Sequence, residues 1–276
     1  MQNSSCIETI VLLEGRIDLS EPRSMSEYDS ELSDFSRQGY LLLPSQFSSE
    51  ELDTMRSWID SDLLEWKKFL DIRNPEQSGS LAHHVLVKAH WRAFLNDLEP
   101  MDLFRRLLGD EPVVNTFGIN DNRAEGGLYH HRDHVDQKFS SDGRLSMSIN
   151  LLIFVDDFQV DTGATWVYPN SISELSSGTA LKAERSEQVC GHAGDLLIWD
   201  SRILHRAGAN TSGVHRRAVS LMLARHWVKP QFNYLGMMSE TEIESLTDIQ
   251  KQLLGYESRV PSSLEDWYFR RRRRLA

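Results

Sequence analysis

The 276-residue sequence lacks the features that define several large classes of protein. Its two cysteines, Cys6 and Cys190, are too few for a disulfide framework. It also has no apolar run of the ~18 residues that a membrane helix needs, and its first residues lack the basic and apolar regions of a signal peptide. These absences predict a cytoplasmic protein with no membrane partner.

An excess of positive charge is also absent. Thirty Lys and Arg residues against 41 Asp and Glu residues give a net charge of −11, and removing the five consecutive arginines Arg270–Arg274 leaves −16. Nucleic-acid binding normally requires a basic face on the fold itself, so we expect a small-molecule partner and no nucleic acid. Residues 265–276 are interpreted as a solvated basic tail, and the oligomeric state stays open.

No internal repeat and no Pro- or Gly-rich linker divides the chain. We therefore expect residues 1–276 to form one domain, in which residues 1–30 are a polar lead-in. A capping box of Ser48 and Glu51 predicts the start of a long helix, and two short helices are expected on either side of Pro100. A second capping box, Ser239 with Glu242, predicts a C-terminal helical stripe over residues 243–254.

The central part of the sequence has the pattern of short strands. Apolar residues alternate with Ser146, Ser148 and Asn150 over residues 145–153, which is the period of a strand. Strand-length runs also occur at 39–44, 164–168, 196–199 and 217–227. The predicted fold class is therefore α+β, with a β-sandwich or jelly-roll core between flanking helices.

Histidines and carboxylates cluster just before the alternating strand. His131-Arg132-Asp133 is a His-x-Asp sequence, and residues i and i+2 of an extended segment project to the same side. A distant histidine, His205, is expected at the end of another strand and can complete a face of two histidines and one carboxylate. Such a face leaves coordination positions open and suits Fe(II) that must also bind a co-substrate and O₂. The overlapping pair His134 and Asp136 is an alternative register.

An arginine follows His205 at a spacing of eleven residues. A strand, a turn and a returning strand would bring this residue, Arg216, into the same barrel. The guanidinium fork binds a carboxylate in a bidentate manner, so the combination with an iron face indicates a small dicarboxylate keto acid as co-substrate. The neighbouring Arg217 is the alternative, on the opposite face of the strand.

With these motifs, the sequence resembles the phytanoyl-CoA dioxygenase family of Fe(II)/2-oxoglutarate oxygenases between Phe35 and Trp227. The resemblance implies a double-stranded β-helix, which is a jelly-roll variant. It implies iron ligands at His131, Asp133 and His205, and contact between Arg216 and 2-oxoglutarate. The motifs that carry it are Gly39–Pro44, Tyr129–Asp133, Asp161–Ala164, Gly194-Asp195 and the segment from His205 through Asn210 and Ser212 to Arg216.

The resemblance also implies an activity. We expect hydroxylation of a small molecule, an amino acid or a secondary-metabolite intermediate, with release of succinate and CO₂. Desaturation, cyclisation and epimerisation by the same chemistry stay open, whereas halogenation is disfavoured because Asp133 stands where halogenating relatives have a small residue. Pro169–Ile172 departs from the family's Pro-Gly-Ser-His, so a substrate identity is not carried over.

Two other functions remain as alternatives at this point. The first is a non-catalytic, cupin-like protein that binds a metal or ligand. The second is a zinc hydrolase with Asp136 or Asp200 as general base, which leaves Arg216 unexplained. The sequence also leaves open whether certain side chains contact substrate, namely His83, His84, His134, Trp166, Asp200 and Arg202.

Overall fold

The computed structural model of the chain describes residues 28–70, 81–122, 131–133, 146–169, 171–172 and 185–268. The α-helices in these ranges include α1 (Asp29–Gln38), α2 (Ser49–Leu70), α3 (Ala89–Phe94), α4 (Met101–Leu108), α5 (Glu240–Ser245) and α6 (Asp248–Leu253), and residues 264–268 are also helical. Short 3₁₀ helices span Val85–Val87, Leu95–Asp97 and Leu235–Met237. In this part of the chain, no helix has both the length and the apolar character needed to cross a bilayer.

The strands in the described ranges form two antiparallel sheets. They are β1 (Tyr40–Leu43), β2 (Leu81–His83), β3 (Pro112–Asp121), β4 (Ser148–Phe154), β5 (Thr165–Tyr168), β6 (Glu187–Val189), β7 (Leu196–Asp200), β8 (Leu204–Arg206) and β9 (Arg217–Arg225). The larger sheet has the order β1-β7-β4-β9-β3-β2, and the smaller sheet has the order β6-β5-β8. The fold is therefore α+β with a jelly-roll core, a double-stranded β-helix, as the sequence predicted.

The two faces of the larger sheet pack against different partners. Ile149, Leu151 and Ile153 of β4 belong to a large apolar cluster that includes residues of α2, α3 and α4. The residues between them project to the opposite face, where Leu152 and Phe154 join a second cluster with residues of the smaller sheet. The second face is therefore the interior of the barrel, and Ser148 and Asn150 lie on it.

Most of the predicted elements are present. Helix α2 begins at the predicted capping box, where the Ser48 backbone N–H donates to Glu51 Oε2 at 2.7 Å. Helix α4 ends at Gly109, whose φ of 63° is a left-handed conformation that glycine adopts without strain. The period-two segment is β4, but both of its faces are buried, because its polar residues face the barrel interior and not solvent.

Three sequence expectations about local structure were incomplete or wrong. The predicted C-terminal helical stripe is two short helices, α5 and α6, because a further capping box of Thr247 and Gln250 starts a new helix after Leu246. Helix α1 and strands β2, β6 and β8 were not predicted, since the strands have only three residues each and carry little periodicity. His205 lies in the middle of β8 and not at the end of a longer strand.

Candidate metal centre

Two chain segments carry the predicted metal ligands, and backbone hydrogen bonds join them. The His131 N–H donates to the His205 carbonyl at 2.9 Å, and the His205 N–H donates back at 3.0 Å. This antiparallel bridge brings the two imidazole rings to a centroid distance of 4.4 Å. The Asp133 N–H donates to the Ser201 carbonyl at 3.1 Å and so fixes the other end of the short segment.

The three side chains converge on one point. His131 Nε2 lies 3.7 Å from Asp133 Oδ1, and His205 Nε2 lies 3.4 Å from Asp133 Oδ2. One ligand atom from each residue lies within 4.8 Å of the others, a spacing that a single metal ion can bridge. His205 is buried, whereas His131 is exposed, so the cluster is closed on one side and accessible on the other.

The orientation of the His205 ring is fixed by its second nitrogen. His205 Nδ1 lies 3.1 Å from the carbonyl oxygen of Ile203, which only accepts hydrogen bonds, so Nδ1 carries the proton. Nε2, which lies 3.4 Å from Asp133 Oδ2, then carries the lone pair that a metal ion would bind. A hydrogen bond of this kind to the outer nitrogen is the usual arrangement for a histidine that binds a metal.

Two residues that the sequence prediction did not assign to the site hold Asp133. Asn150 Nδ2 lies 2.9 Å from Asp133 Oδ2 and also 2.9 Å from Ser201 Oγ. Asn150 is a polar residue on the inward face of a strand whose other face is apolar. That pattern was visible in the sequence, but it did not show which way the polar face pointed.

Arg132, between the two ligands of the His-x-Asp sequence, anchors their segment from the other side. Its Nε donates to the Arg202 carbonyl at 2.7 Å, and its Nη2 donates to the Ser171 carbonyl at 3.2 Å. Ser171 in turn accepts from the Leu204 N–H through its side chain at 2.9 Å. These contacts tie the ligand segment to the strand that carries His205.

Arg216 is buried directly before β9. Its guanidinium lies 4.6 Å from the centroid of the Phe158 ring, and its Nη1 donates to the Gly163 carbonyl. Among the described residues, its Nε has no hydrogen-bond partner. Burial lowers the pKa of Arg216 to about 10, although the nearby Asp121 carboxylate acts in the opposite direction. The side chain is therefore a protonated, buried and incompletely partnered cation at neutral pH.

The alternative arginine has a different environment. Arg217 donates from Nε to Asp60 at 2.7 Å and from Nη1 to Asp156 at 3.0 Å. The two carboxylates satisfy this guanidinium away from the histidine cluster. Of the two neighbours, Arg216 is therefore the one whose side chain has donor capacity left.

Several side chains left open by the sequence lie away from the cluster. Asp200 and Arg202 form a buried ion pair at 2.7 Å, and Asp200 also accepts from the Ser146 hydroxyl. A carboxylate paired in this way is not positioned to act as a general base. Trp166 packs against Arg206, whose guanidinium lies 5.0 Å from the ring centroid.

His83 and His84 lie at the edge of the larger sheet. His83 pairs with Gly118, where an added Cβ would lie 3.3 Å from His83 Nδ1, so the glycine leaves room for this ring. His84 has a φ of 62° and stacks on Phe232 at 4.6 Å. Burial lowers the pKa of both histidines, and both are therefore neutral at pH 7.

Some predictions concern residues outside the described ranges. These are residues 1–27 of the polar lead-in, Tyr129 and His130 of the family motif, the alternative register of His134 and Asp136, the departure from the family pattern at Asn170, and the arginine run Arg270–Arg274.

Two histidines and a carboxylate converge in the jelly roll, and a buried arginine borders the same interior, which is an arrangement that can hold a metal ion and leave coordination positions open. The chain belongs to the phytanoyl-CoA dioxygenase (PhyH) family, whose pattern matches residues 35–218.

The curated relatives match part of the chain. An uncharacterised protein of Mycobacterium tuberculosis is 34% identical over 122 residues, which are 44% of this chain and 45% of that protein. The iron/alpha-ketoglutarate-dependent dioxygenase penM of Penicillium thymicola is 34% identical over 123 residues, 43% of this chain and 38% of that protein. The match spans less than half the length of either relative.

Solved structures share the fold. EctD from S. alaskensis with bound iron has a TM-score of 0.60 and 17% identity, over 79% of this chain and 85% of that chain. HygX from Streptomyces hygroscopicus with nickel and 2-oxoglutarate has a TM-score of 0.56 and 15% identity, over 73% of this chain and 88% of that chain. At these identities the likeness extends to the fold.

Proposed function

We propose that this chain is an Fe(II)- and 2-oxoglutarate-dependent dioxygenase that hydroxylates a small molecule and releases succinate and CO₂. The observation that carries the proposal is the convergence of His131, Asp133 and His205 in a barrel that Arg216 also borders. The ligand residues and the role of Arg216 are part of the proposal.

The residues present fit this cofactor and co-substrate. Two imidazole nitrogens and one carboxylate are the donor set of non-haem Fe(II) oxygenases, and they leave three coordination positions open. Arg216 supplies a buried cation whose Nε lacks a partner among the residues that the structure describes, which suits one carboxylate of a dicarboxylate. The named activity of penM as an iron/alpha-ketoglutarate-dependent dioxygenase, and the nickel and 2-oxoglutarate in HygX, support the same assignment.

Bound Fe(II), 2-oxoglutarate and O₂ would supply oxidative decarboxylation to succinate and CO₂, coupled to insertion of oxygen into a substrate C–H bond. His131, Asp133 and His205 would hold the metal from one side and leave the other side accessible. Arg216 would neutralise and orient the distal carboxylate of 2-oxoglutarate. Phe158, on which its guanidinium lies, excludes water from that contact and so strengthens it.

The substrate class we propose is a free amino acid or a secondary-metabolite intermediate. The net charge of −11 and the lack of a basic cluster in the barrel sequence disfavour phosphate-rich substrates such as acyl-CoA. The neutral His83 at the sheet edge and the polar interior face of β4 fit a substrate with hydrogen-bonding groups.

The test is succinate release by the purified chain with 2-oxoglutarate, O₂ and a panel of amino acids, with and without added Fe(II). We expect Fe(II)-dependent succinate, stimulated by the true substrate, and oxygen-isotope labelling of the product if the outcome is hydroxylation. His131→Ala and Asp133→Ala should abolish the signal.

Full coupled turnover in either variant would contradict the assigned ligands. A wild-type chain that binds Fe(II) but forms no succinate, either with the substrate panel or by uncoupled decarboxylation of 2-oxoglutarate, would favour the non-catalytic binding protein. A product that is formed under isotope-labelled O₂ but does not contain the label would indicate desaturation, cyclisation or epimerisation.

A further inference from the structure

We infer that Asn150 is a positioning residue for the metal site and limits Asp133 to presenting one carboxylate oxygen to a bound divalent ion. The inference rests on the ligand set of the proposed function. It concerns a residue that lies outside the ligand set and acts on it through Asp133.

The side-chain amide of Asn150 uses both of its N–H groups. One lies 2.9 Å from Asp133 Oδ2, and the other lies 2.9 Å from Ser201 Oγ. The direction of the amide follows from chemistry, because an ionised carboxylate only accepts hydrogen bonds and so requires the nitrogen on its side. Asn150 is 7% exposed, so water does not compete effectively for these bonds.

Ser201, the second partner of the Asn150 amide, also holds the backbone of Asp133. The Ser201 carbonyl accepts the Asp133 N–H at 3.1 Å, and the Ser201 N–H donates to the Ser148 carbonyl at 3.2 Å. Ser148 and Asn150 both belong to β4, which pairs on both sides with β7 and β9. The Asp133 carboxylate is thereby attached through Asn150 to a strand in the middle of the larger sheet, although Asp133 itself lies outside any strand.

The way in which Asp133 binds a metal ion determines how many coordination positions stay open. A carboxylate that binds a metal through both oxygens takes two positions, and one that binds through a single oxygen takes one. Donation from Asn150 takes up one lone pair of Oδ2 and lowers the basicity of that oxygen. Binding through Oδ1 alone is thereby favoured, and three positions stay open. 2-Oxoglutarate needs two of these positions and O₂ needs the third, which is why the restriction matters for the proposed activity.

The experiment measures binding of Co(II), a redox-stable substitute for Fe(II), to the full chain by titration calorimetry without 2-oxoglutarate. Asn150→Leu keeps the approximate volume and removes both donors. We expect its Co(II) affinity to fall about 10- to 100-fold, the usual range for loss of a group that orients a ligand. Its Co(II) visible spectrum should also change, because the coordination of the carboxylate changes.

Ser148→Ala is the matched control, because Ser148 lies on the same face of the same strand and its hydroxyl has no hydrogen-bond partner in the part of the chain that the structure describes. Its affinity and spectrum should equal those of the wild type. Ser201→Ala removes one of the two bonds of the Asn150 amide and should give a smaller loss than Asn150→Leu.

The outcomes separate the inference from the proposed function. Wild-type Co(II) affinity and spectrum in Asn150→Leu, with loss of binding in His131→Ala, would overturn the role of Asn150 and leave the ligand set intact. Equal binding by the wild type and His131→Ala would overturn the ligand set. A weaker Asn150→Leu with an unchanged Co(II) spectrum and a lower Tm without metal would show a purely structural role and also overturn the inference.

Discussion

The two faces of the larger sheet differ in how they treat polar groups. On the helix-covered face, β4 contributes Ile149, Leu151 and Ile153, all fully buried. On the interior face the same strand contributes Ser148 and Asn150 before it becomes apolar at Leu152. A single strand thus serves a dry core on one side and a candidate metal site on the other.

The hydrogen bonds of buried side chains show the same contrast. In the described part of the chain, six buried side-chain atoms have no hydrogen-bond partner, and four of them belong to interior-facing residues: Asn120, Ser148, Trp199 and Arg216. On the helix side, by contrast, the buried carboxylate of Asp62 has three donors. Unpaired buried polar atoms are costly, so their concentration among the described interior-facing residues sets this face apart from the helix side, where the Asp62 carboxylate is satisfied.

We expect the largest effect on activity when a proposed metal ligand on the interior face is removed. We expect His205→Ala to lower Fe(II)-dependent succinate formation by more than about 100-fold, because even the loss of a group that orients a ligand costs 10- to 100-fold. His226→Ala is the control, since His226 is exposed and pairs with Asp110 at 2.8 Å. Equal losses in the two variants would contradict a special role for the interior histidine.

Arg216 sharpens the comparison because its binding and stability effects should have opposite signs. Arg216→Met removes the charge-assisted bonds to a dicarboxylate, each of about 1.5–3 kcal/mol, so 2-oxoglutarate affinity should fall roughly 10- to 100-fold. The Tm without ligand should not fall, because the substitution removes a buried and incompletely paired charge. Calorimetry and thermal unfolding measure the two quantities.

Arg217→Met is the control for that variant. Its guanidinium pairs with Asp60 and Asp156, so the substitution should leave 2-oxoglutarate affinity unchanged. Weaker 2-oxoglutarate binding in Arg217→Met, with normal binding in Arg216→Met, would mean that the arginine was assigned to the wrong neighbour.

A truncation on the helix-covered face should lower the free energy of unfolding and leave metal binding unchanged. Leu151→Ala truncates a fully buried side chain of the helix-covered core and should lower the free energy of unfolding by about 2–5 kcal/mol. The folded variant should bind Co(II) with wild-type affinity, since Leu151 projects away from its neighbour Asn150. Urea unfolding and calorimetry test this, and a large loss of metal affinity would show that the two faces are not independent.

The sequence predicted the elements whose signals are local. The capping boxes at Ser48 and Ser239, the period of β4 and the His-x-Asp spacing are each readable within a few residues. The roles of Asn150 and Arg132 were missed, because their partners lie 17 to 70 positions away and depend on which face of β4 points inward. The three-residue strands β2, β6 and β8 were missed because their pairing partners, and not their own sequences, determine them.

We expect the smallest effect at Asp62, the buried carboxylate on the helix side that accepts hydrogen bonds from three donors. Burial alone would raise the pKa of Asp62, but hydrogen bonds from Lys88, Trp91 and His90 outweigh it, and the pKa is lowered. A carboxylate with a lowered pKa stabilises the fold above its unfolded pKa of about 3.9, and this stability is lost as the pH falls through the folded value. Asp62→Asn should therefore cost about 1–3 kcal/mol at neutral pH, with a difference from wild type that narrows below about pH 4. Urea unfolding at stepped pH measures this difference, and a difference that stays constant with pH would show that the ionised form of Asp62 does not stabilise this face.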